Sequence, residues 1–321
     1  MKKLLLALLT IFSLSLTIAQ ETEGFPLTLT DMNGLELTLA APPERVVCLL
    51  NRCAQELAFI GVAPIAVGAP YTYNVARDPL NFGELAETFG QIPQADGGDW
   101  EKVASFTPDL IIGEADTREQ AEGIAPLYSY SWDASVWQSV ENFTTDVRNF
   151  ARIFGKETEV EAKIDAVLDR VAAYQKLSPN NVTHLVVNFA DDTGASVWIP
   201  GDCGLFLGQL SPCGNPGSPD WIEGSVETLL SFDPDVLIVE QYSVDDEAAL
   251  LERLGSTNPL WNELKAVKNG RVHLVPVSQA RTNTIQSVRG AVDALMPLIY
   301  PEVFPEALTD EQVQEILADS N

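Results

Sequence analysis

Short runs of alternating apolar and polar residues give way, along this chain, to longer stretches in which apolar residues recur at helical spacing. FPLTLTDMNGLELTL alternates on both sides of Asn33-Gly34, which predicts a β-hairpin. APPERVVCLL is a continuous apolar run bounded by Pro and predicts a buried strand, after which CAQELAFIGV takes helical spacing. PIAVGAP predicts a second short strand, followed by a Tyr-bearing loop, and PLYSYSW predicts a further strand. From Ser139 the spacing is helical over a long stretch broken at Gly155. Phe143, Val147 and Phe150 share one stripe; Val160, Ile164, Val167 and Val171 share the next. The piece over 157–177 would be about 30 Å long at ~1.5 Å per residue, enough to bridge two lobes. THLVVNFA then opens a fresh strand, DDTGASVWIP reads as a hairpin, and a Gly-rich helix start follows. A helix around 250–254, the strand RVHLVPV and a helix over 287–299 complete the pattern.

One segment occurs twice. DWEKVASFTPDLIIGE over 99–114 returns as SVETLLSFDPDVLIVE over 225–240, with Glu101, Pro108 and Asp109 matched by Glu227, Pro234 and Asp235. Each copy reads as a short amphipathic helix, a Pro-Asp turn where Pro blocks continuation of the helix, and a buried strand. The chain therefore has two related α/β halves, and its 321 residues with 46% hydrophobic content suffice for two cores.

Composition adds a cellular context. MKKLLLALLTIFSLSLTIAQ has a Lys2-Lys3 start, an apolar stretch and small residues before Ala19, the pattern of a cleaved export signal over 1–19. A membrane anchor is the alternative, against which Ser and Thr interrupt the apolar run. No Cys lies near the cut, so the expectation is a periplasmic protein without a lipid-anchor cysteine. The formal charge of −27 argues against nucleic acid as a partner, because phosphate binding needs a basic face. An acidic surface suits docking on a basic partner, or general solubility. In an exported chain the four cysteines favour disulfides. The expected pairs are Cys203 with Cys213 and Cys48 with Cys53; the competing reading sets Cys53 and Cys203 across a cleft as ligand-contacting thiols. Neither spacing matches a CxxC zinc or redox motif. His184 and His273 are the only histidines, both inside strand patterns, and read as structural. There is no GxGxxG, Walker loop, GxSxG or HExxH, so no catalytic residues and no metal site are assigned.

PPERVVCLL with Glu56 just beyond it, the two Glu-to-Pro-Asp segments, PLWNELKAVKNGRVHLVP and LIYPEVFPE together resemble the exported substrate-binding proteins of ABC importers for iron-siderophores, haem and cobalamin. The likeness covers nearly the whole mature chain. It departs from the family pattern at residues 50–53, where small polar residues are more usual. The resemblance implies two three-layer α/β lobes linked by one long interlobe helix, with the ligand cleft between them. On this chain that gives an N-terminal lobe over 25–155, the linking helix over 156–177 and a C-terminal lobe over 181–321. It implies that the protein is not an enzyme and has no cofactor. It implies, too, that Glu101 and Glu227, one per lobe, dock on basic residues of a permease dimer. Two anions held apart on a rigid body can engage two cationic patches at once. A capping role at their helix N-termini is the plainer alternative. The Pro-Asp pairs are read as turn formers.

Open α/β sheets bind ligands beyond the carboxyl ends of their strands, so the candidate contacts are the residues just past each strand. These are Asn51, Arg52, Tyr71, Tyr73 and Trp132 in the first half, with Trp198, Phe206, Trp221, Tyr242 and Arg281 in the second. Aromatic faces offer flat apolar area to a macrocycle or catechol ring, and Arg pairs with an anionic chelate. The expected function is capture of a metal chelate by a monomer, a ferric siderophore first, cobalamin second and haem third. An exported hydrolase or a ligand sensor on the same frame is the reading from a different class.

Overall fold

Alternation of side chains across two parallel sheets sets the layout of the molecule. In the computed structural model the described residues are 24–68, 82–95, 98–131, 139–189, 197–199, 207–212, 222–241, 247–280 and 284–319. An N-terminal hairpin comes first, β1 (Leu27–Thr30) antiparallel to β2 (Glu36–Leu39). Its turn is closed by the Asp31 carboxylate, which accepts from the amides of Asn33 and Leu35 at 2.9 Å each, while Gly34 takes a φ of 75°. Leu29, Leu37 and Leu39 form its buried face, and Thr28 and Thr38 meet outside it.

The first sheet contains β3 (Val46–Cys48), β4 (Ala66–Val67), β5 (Leu110–Glu114) and β6 (Leu127–Tyr130), all parallel in the order β4-β3-β5-β6. The second contains β7 (His184–Phe189), β8 (Val197–Ile199), β9 (Ile222–Gly224), β10 (Val236–Gln241) and β11 (Val272–Pro276), in the order β11-β10-β7-β8-β9. There β11, β10 and β7 are parallel, and β8 and β9 extend the sheet antiparallel. The longer helices are α1 (Asn51–Phe59), α2 (Trp100–Ser105), α3 (Val140–Phe154), α4 (Glu157–Leu177), α5 (Val226–Phe232), α6 (Glu247–Thr257), α7 (Ile285–Ile299) and α8 (Asp310–Ala318). α3 starts on Ser139, whose hydroxyl accepts from the Asn142 amide, and stops at Gly155 in the left-handed region, so the break expected there is a glycine C-cap.

Period-two alternation divides the strand residues between cores. Val46, Cys48, Leu110, Ile112, Tyr128 and Tyr130 face one core, and Val47 and Ile111 face a smaller one on the other side of the sheet. In the second sheet Val186, Val236, Ile238 and Val275 join that same first core, while Leu185, Val187, Leu237 and Val239 face a separate one. The first core is thus continuous between lobes, carried through Val160, Ile164, Val167, Val171 and Tyr174 of α4 and through Ile285, Val288 and Val292 of α7. A shared close-packed core resists shear, so α4 acts as a stiff element between the lobes.

Polar contacts fasten α4 at both ends. Arg148 of α3 bonds both oxygens of Glu161, and Lys163 donates to the Phe59 carbonyl. Arg170 is buried among Asp293, Asp310 and the Leu308 carbonyl, and Tyr174 donates to Asp293 at 2.9 Å. Apart from short helical turns over 83–89, 115–121, 259–263, 265–268 and 277–280, three features differ from the sequence reading. α7 begins at Ile285 instead of 287, because Thr284 accepts from the Ser287 amide as its N-cap. β9 and α8 were not expected: β9 is a three-residue edge strand, and α8 holds a single buried residue, Val313, so neither leaves a periodic apolar signal.

Candidate ligand cleft

Helices that follow the carboxyl ends of strands in the two sheets meet one another. α1 begins at Asn51, directly beyond β3; α7 begins just beyond the end of β11 and one helical turn over 277–280. One turn into α1, Gln55 accepts a 3.3 Å hydrogen bond from the hydroxyl of Thr284, with the two residues 3% and 0% exposed. The helices beyond the strand tips of both lobes therefore touch, and sheets of this kind hold ligands beyond such tips.

The N-terminal wall is built on the turn after β3. Cys48 is disulfide-bonded to Cys53 with Cα atoms 6.1 Å apart, closing the turn that carries Leu49, Leu50, Asn51 and Arg52. Gly68, just past β4, donates to the Cys48 carbonyl at 2.7 Å. A Cβ at Gly68 would lie 2.4 Å from the Leu49 carbonyl oxygen, so this close approach needs glycine.

Beneath the turn lies a buried polar cluster. Arg52 reaches Asp146 of α3 at 3.0 Å and Glu56 at 3.4 Å, and its guanidinium stands 4.8 Å from the centre of the Tyr130 ring. Tyr128 donates to Asp146 at 2.8 Å, Asn149 donates to the Tyr128 hydroxyl at 2.9 Å, and Tyr130 donates to Glu56. One guanidinium faces two carboxyls in a space closed to water. Burial pushes Glu56 up to about 7, against the pull of Arg52, and raises Asp146 as well. The Tyr128 and Tyr130 phenols are pushed up by burial and by the neighbouring carboxylates, and remain donors. Asp31 and Asn33 of the hairpin lock the last residues of β6: Asn33 donates to Ser129 and to the Tyr130 carbonyl, and the Ser129 amide donates to Asp31.

On the C-terminal wall, Asn188 of β7 donates to Glu240 at the end of β10 at 3.1 Å, and Glu240 is buried. Asn188 is also paired with Trp198 of β8, so the three positions form a row across the sheet at its carboxyl edge.

These positions sort the expected contacts. Asn51 opens α1 at the strand tip, and Trp198 lies in that row. Tyr71, Tyr73, Trp132, Phe206, Trp221, Tyr242 and Arg281 fall outside the described residues, as do Cys203 and Cys213. Arg52 is a correction: its side chain is 1% exposed and serves the buried cluster, because α1 turns it inward toward Asp146. Cys53 is likewise enclosed and bonded to Cys48, not presented as a thiol. Gln55, Gly68, Asp146 and Thr284 were not anticipated. Only Gly68 leaves a sequence signal, a glycine directly after a strand. Among the described residues no group of three or more His, Cys, Asp or Glu side chains is placed to hold a metal ion.

Glu101 and Glu227 stand exposed at the second position of α2 and α5. Each helix leads into the Pro-Asp turn and then into β5 or β10, so both N-termini lie toward the carboxyl edges of their sheets. The Ser225 hydroxyl donates to Glu227 at 2.6 Å and holds its carboxyl below the usual range.

The family model described as "Periplasmic binding protein" matches residues 46–277. Similar proteins include Bacillus subtilis YhfQ, a substrate-binding lipoprotein ascribed to an ABC transporter. It is 29% identical over 78% of this chain and 80% of its own length. The Fe(3+)-citrate-binding protein YfmC of Bacillus subtilis is 26% identical over 74% of each chain. Among solved structures, a periplasmic binding protein from Veillonella parvula superposes with a TM-score of 0.67 at 22% identity, covering 88% of this chain and 94% of that one.

Proposed function

The chain belongs to the periplasmic binding protein family, and from that premise we propose that it captures a ferric chelate, first of all a ferric siderophore, and delivers it to the permease of an ABC importer. The observation that carries this reading is the contact between α1, which follows β3, and the N-cap of α7, which follows β11, at Gln55 and Thr284, in a chain similar to a named Fe(3+)-citrate-binding protein. An interlobe cleft suits a chelate too large for a pocket in one lobe. Asn51, Tyr71, Tyr73, Trp132, Trp198, Phe206, Trp221, Tyr242 and Arg281 are the proposed contacts, with aromatic faces against the chelator and Arg281 against its charge. Glu101 and Glu227 are the proposed permease contacts, one on each lobe.

The mature protein is proposed to begin after Ala19 and to act as a periplasmic monomer. Its lobes are residues 25–155 and 181–321, linked through 156–177.

Tryptophan fluorescence titrated with a ferric catecholate, ferric citrate, haem and cobalamin tests the ligand class. Saturable quenching by a ferric chelate is expected. Response to cobalamin alone would move the protein to the corrinoid class, and silence toward all four would remove the chelate reading.

A further inference from the structure

We infer that the hydrogen bond between Gln55 and Thr284 is a pin at the floor of the cleft, which sets the separation of the lobes and so positions the ligand-bearing turns. The inference rests on the cleft described above and deepens the proposed function.

Four observations converge on it. The bond is the point where a side chain of the first lobe meets the N-cap of a helix in the second. Both partners are shut off from water, where a hydrogen bond is electrostatically stronger and an unpaired group is costly. Each partner is also rigid for a separate reason. Gln55 lies two residues beyond Cys53 of the Cys48–Cys53 disulfide and directly before Glu56 of the buried cluster. Thr284 is held by Ser287, whose amide donates to the Thr284 hydroxyl oxygen at 3.1 Å and whose hydroxyl donates to the Thr284 carbonyl at 2.9 Å, and the Thr284 hydroxyl proton is shared between the Ser287 hydroxyl oxygen at 3.1 Å and Gln55 at 3.3 Å. Finally, Gln55 lies on the same helix as Asn51, a proposed contact, four residues further on. A displacement of α1 at the pin would move that wall of the site.

α4 and α7 hold the lobes along the shared core by apolar packing, which is non-directional. The Gln55–Thr284 bond adds a directional contact between them. Gln55 and Thr284 are therefore positioning residues: they touch no ligand, and they reduce the spread of open forms from which binding must select.

In the experiment the exposed Glu122 and Glu252, one on each lobe, are each replaced by the ketone-bearing residue p-acetylphenylalanine and coupled to a hydroxylamine spin label as the oxime with loss of water, in the full mature chain without ligand. Electron–electron distance distributions are compared for the parent, Gln55→Met, Thr284→Val and Thr284→Ser. Gln55→Met removes the acceptor at nearly constant volume, and Thr284→Ser keeps both the hydroxyl and the cap. The expected result is a distribution about twofold broader for Gln55→Met and Thr284→Val, with the parent width restored in Thr284→Ser. A Gln55→Met distribution as narrow as the parent's, in protein whose circular dichroism is native, overturns the pin. Broadening in Thr284→Val alone would also overturn it, since that result belongs to the lost helix cap.

The same proteins titrated with ferric citrate and a ferric catecholate should bind about 3- to 10-fold more weakly in Gln55→Met, the loss of one neutral hydrogen bond. If neither probe binds the parent, the chelate reading fails, while the spin-label distances still decide the pin.

Discussion

Asp109 and Asp235 do the same work in the two lobes. Asp109 accepts from the amides of Glu44 and Arg45 at 2.8 Å each, just before β3, and Asp235 accepts from the amide and hydroxyl of Thr183 at 2.8 Å each, just before β7. In each lobe the aspartate that ends the Pro-Asp turn ties its own strand to the start of the neighbouring one. Loss of either carboxylate strands backbone donors at a sheet edge. Asp109→Ala should cost about 1 kcal/mol, since its site is open to water. Asp235→Ala should cost about 2, since its site is partly closed and Lys265 also pairs there. Urea denaturation midpoints measure both, and equal costs would show that the partial burial of Asp235 is without effect.

Glu56 and His184 should impose opposing pH slopes. Burial raises Glu56 from 4.5 to about 7. A carboxyl with a raised folded pKa contributes stability fully present below 4.5 and lost as the pH rises through 7. Burial lowers His184 from 6.5 to about 4. A histidine with a depressed folded pKa contributes stability fully present above 6.5 and lost as the pH falls through 4. Between pH 4.5 and 6.5 the two slopes, each about 1.4 kcal/mol per pH unit, largely cancel. Glu56→Gln should make stability rise with pH across that window relative to the parent, and His184→Asn should make it fall. Denaturation midpoints at half-unit pH steps provide the check, and parallel profiles for all three proteins would contradict it.

Gly68→Ala should disturb the cleft before it disturbs the fold. The added methyl meets the Leu49 carbonyl at 2.4 Å, so the turn after β3 must shift. A cost of about 1 to 3 kcal/mol is expected, the range for overpacking, together with weaker binding of whichever ferric probe the parent binds. Unaltered affinity with lowered stability would separate this turn from the ligand site.

Charge reversal at Glu101 and Glu227 tests the docking role. Both glutamates are exposed and lie away from the buried clusters, so Glu101→Lys and Glu227→Lys should leave the fold intact and probe affinity unchanged. Uptake in cells carrying the cognate permease should fall, and more than additively for the double variant if the two sites act together. A fall in uptake that only tracks affinity would assign these residues to surface charge.

Local spacing made much of this architecture legible in advance. The alternation around Asn33-Gly34 gave the hairpin, the glycine at 155 separated α3 from α4, and the repeated Glu-to-Pro-Asp segment identified two α/β halves. These features depend on neighbours within one or two turns, and the energy that selects them is local. The pairing of Cys48 with Cys53 was legible for the same reason.

The candidate site was less legible. A strand tip and a charge suggested ligand contact at Arg52, yet its environment is set by Asp146 in α3 and Tyr130 in β6, far along the chain. The Pro-Asp pairs looked like turns alone because their hydrogen-bond partners belong to neighbouring strands. Gln55 and Thr284 carried no signal at all. By itself the sequence determined most of the strands and longer helices and that the pattern occurs twice. Only the tertiary structure decided that the lobes share one core through α4, that Arg52 is enclosed, and that Gln55 meets Thr284. Contacts between distant segments depend on how whole faces pack, and no local period encodes that.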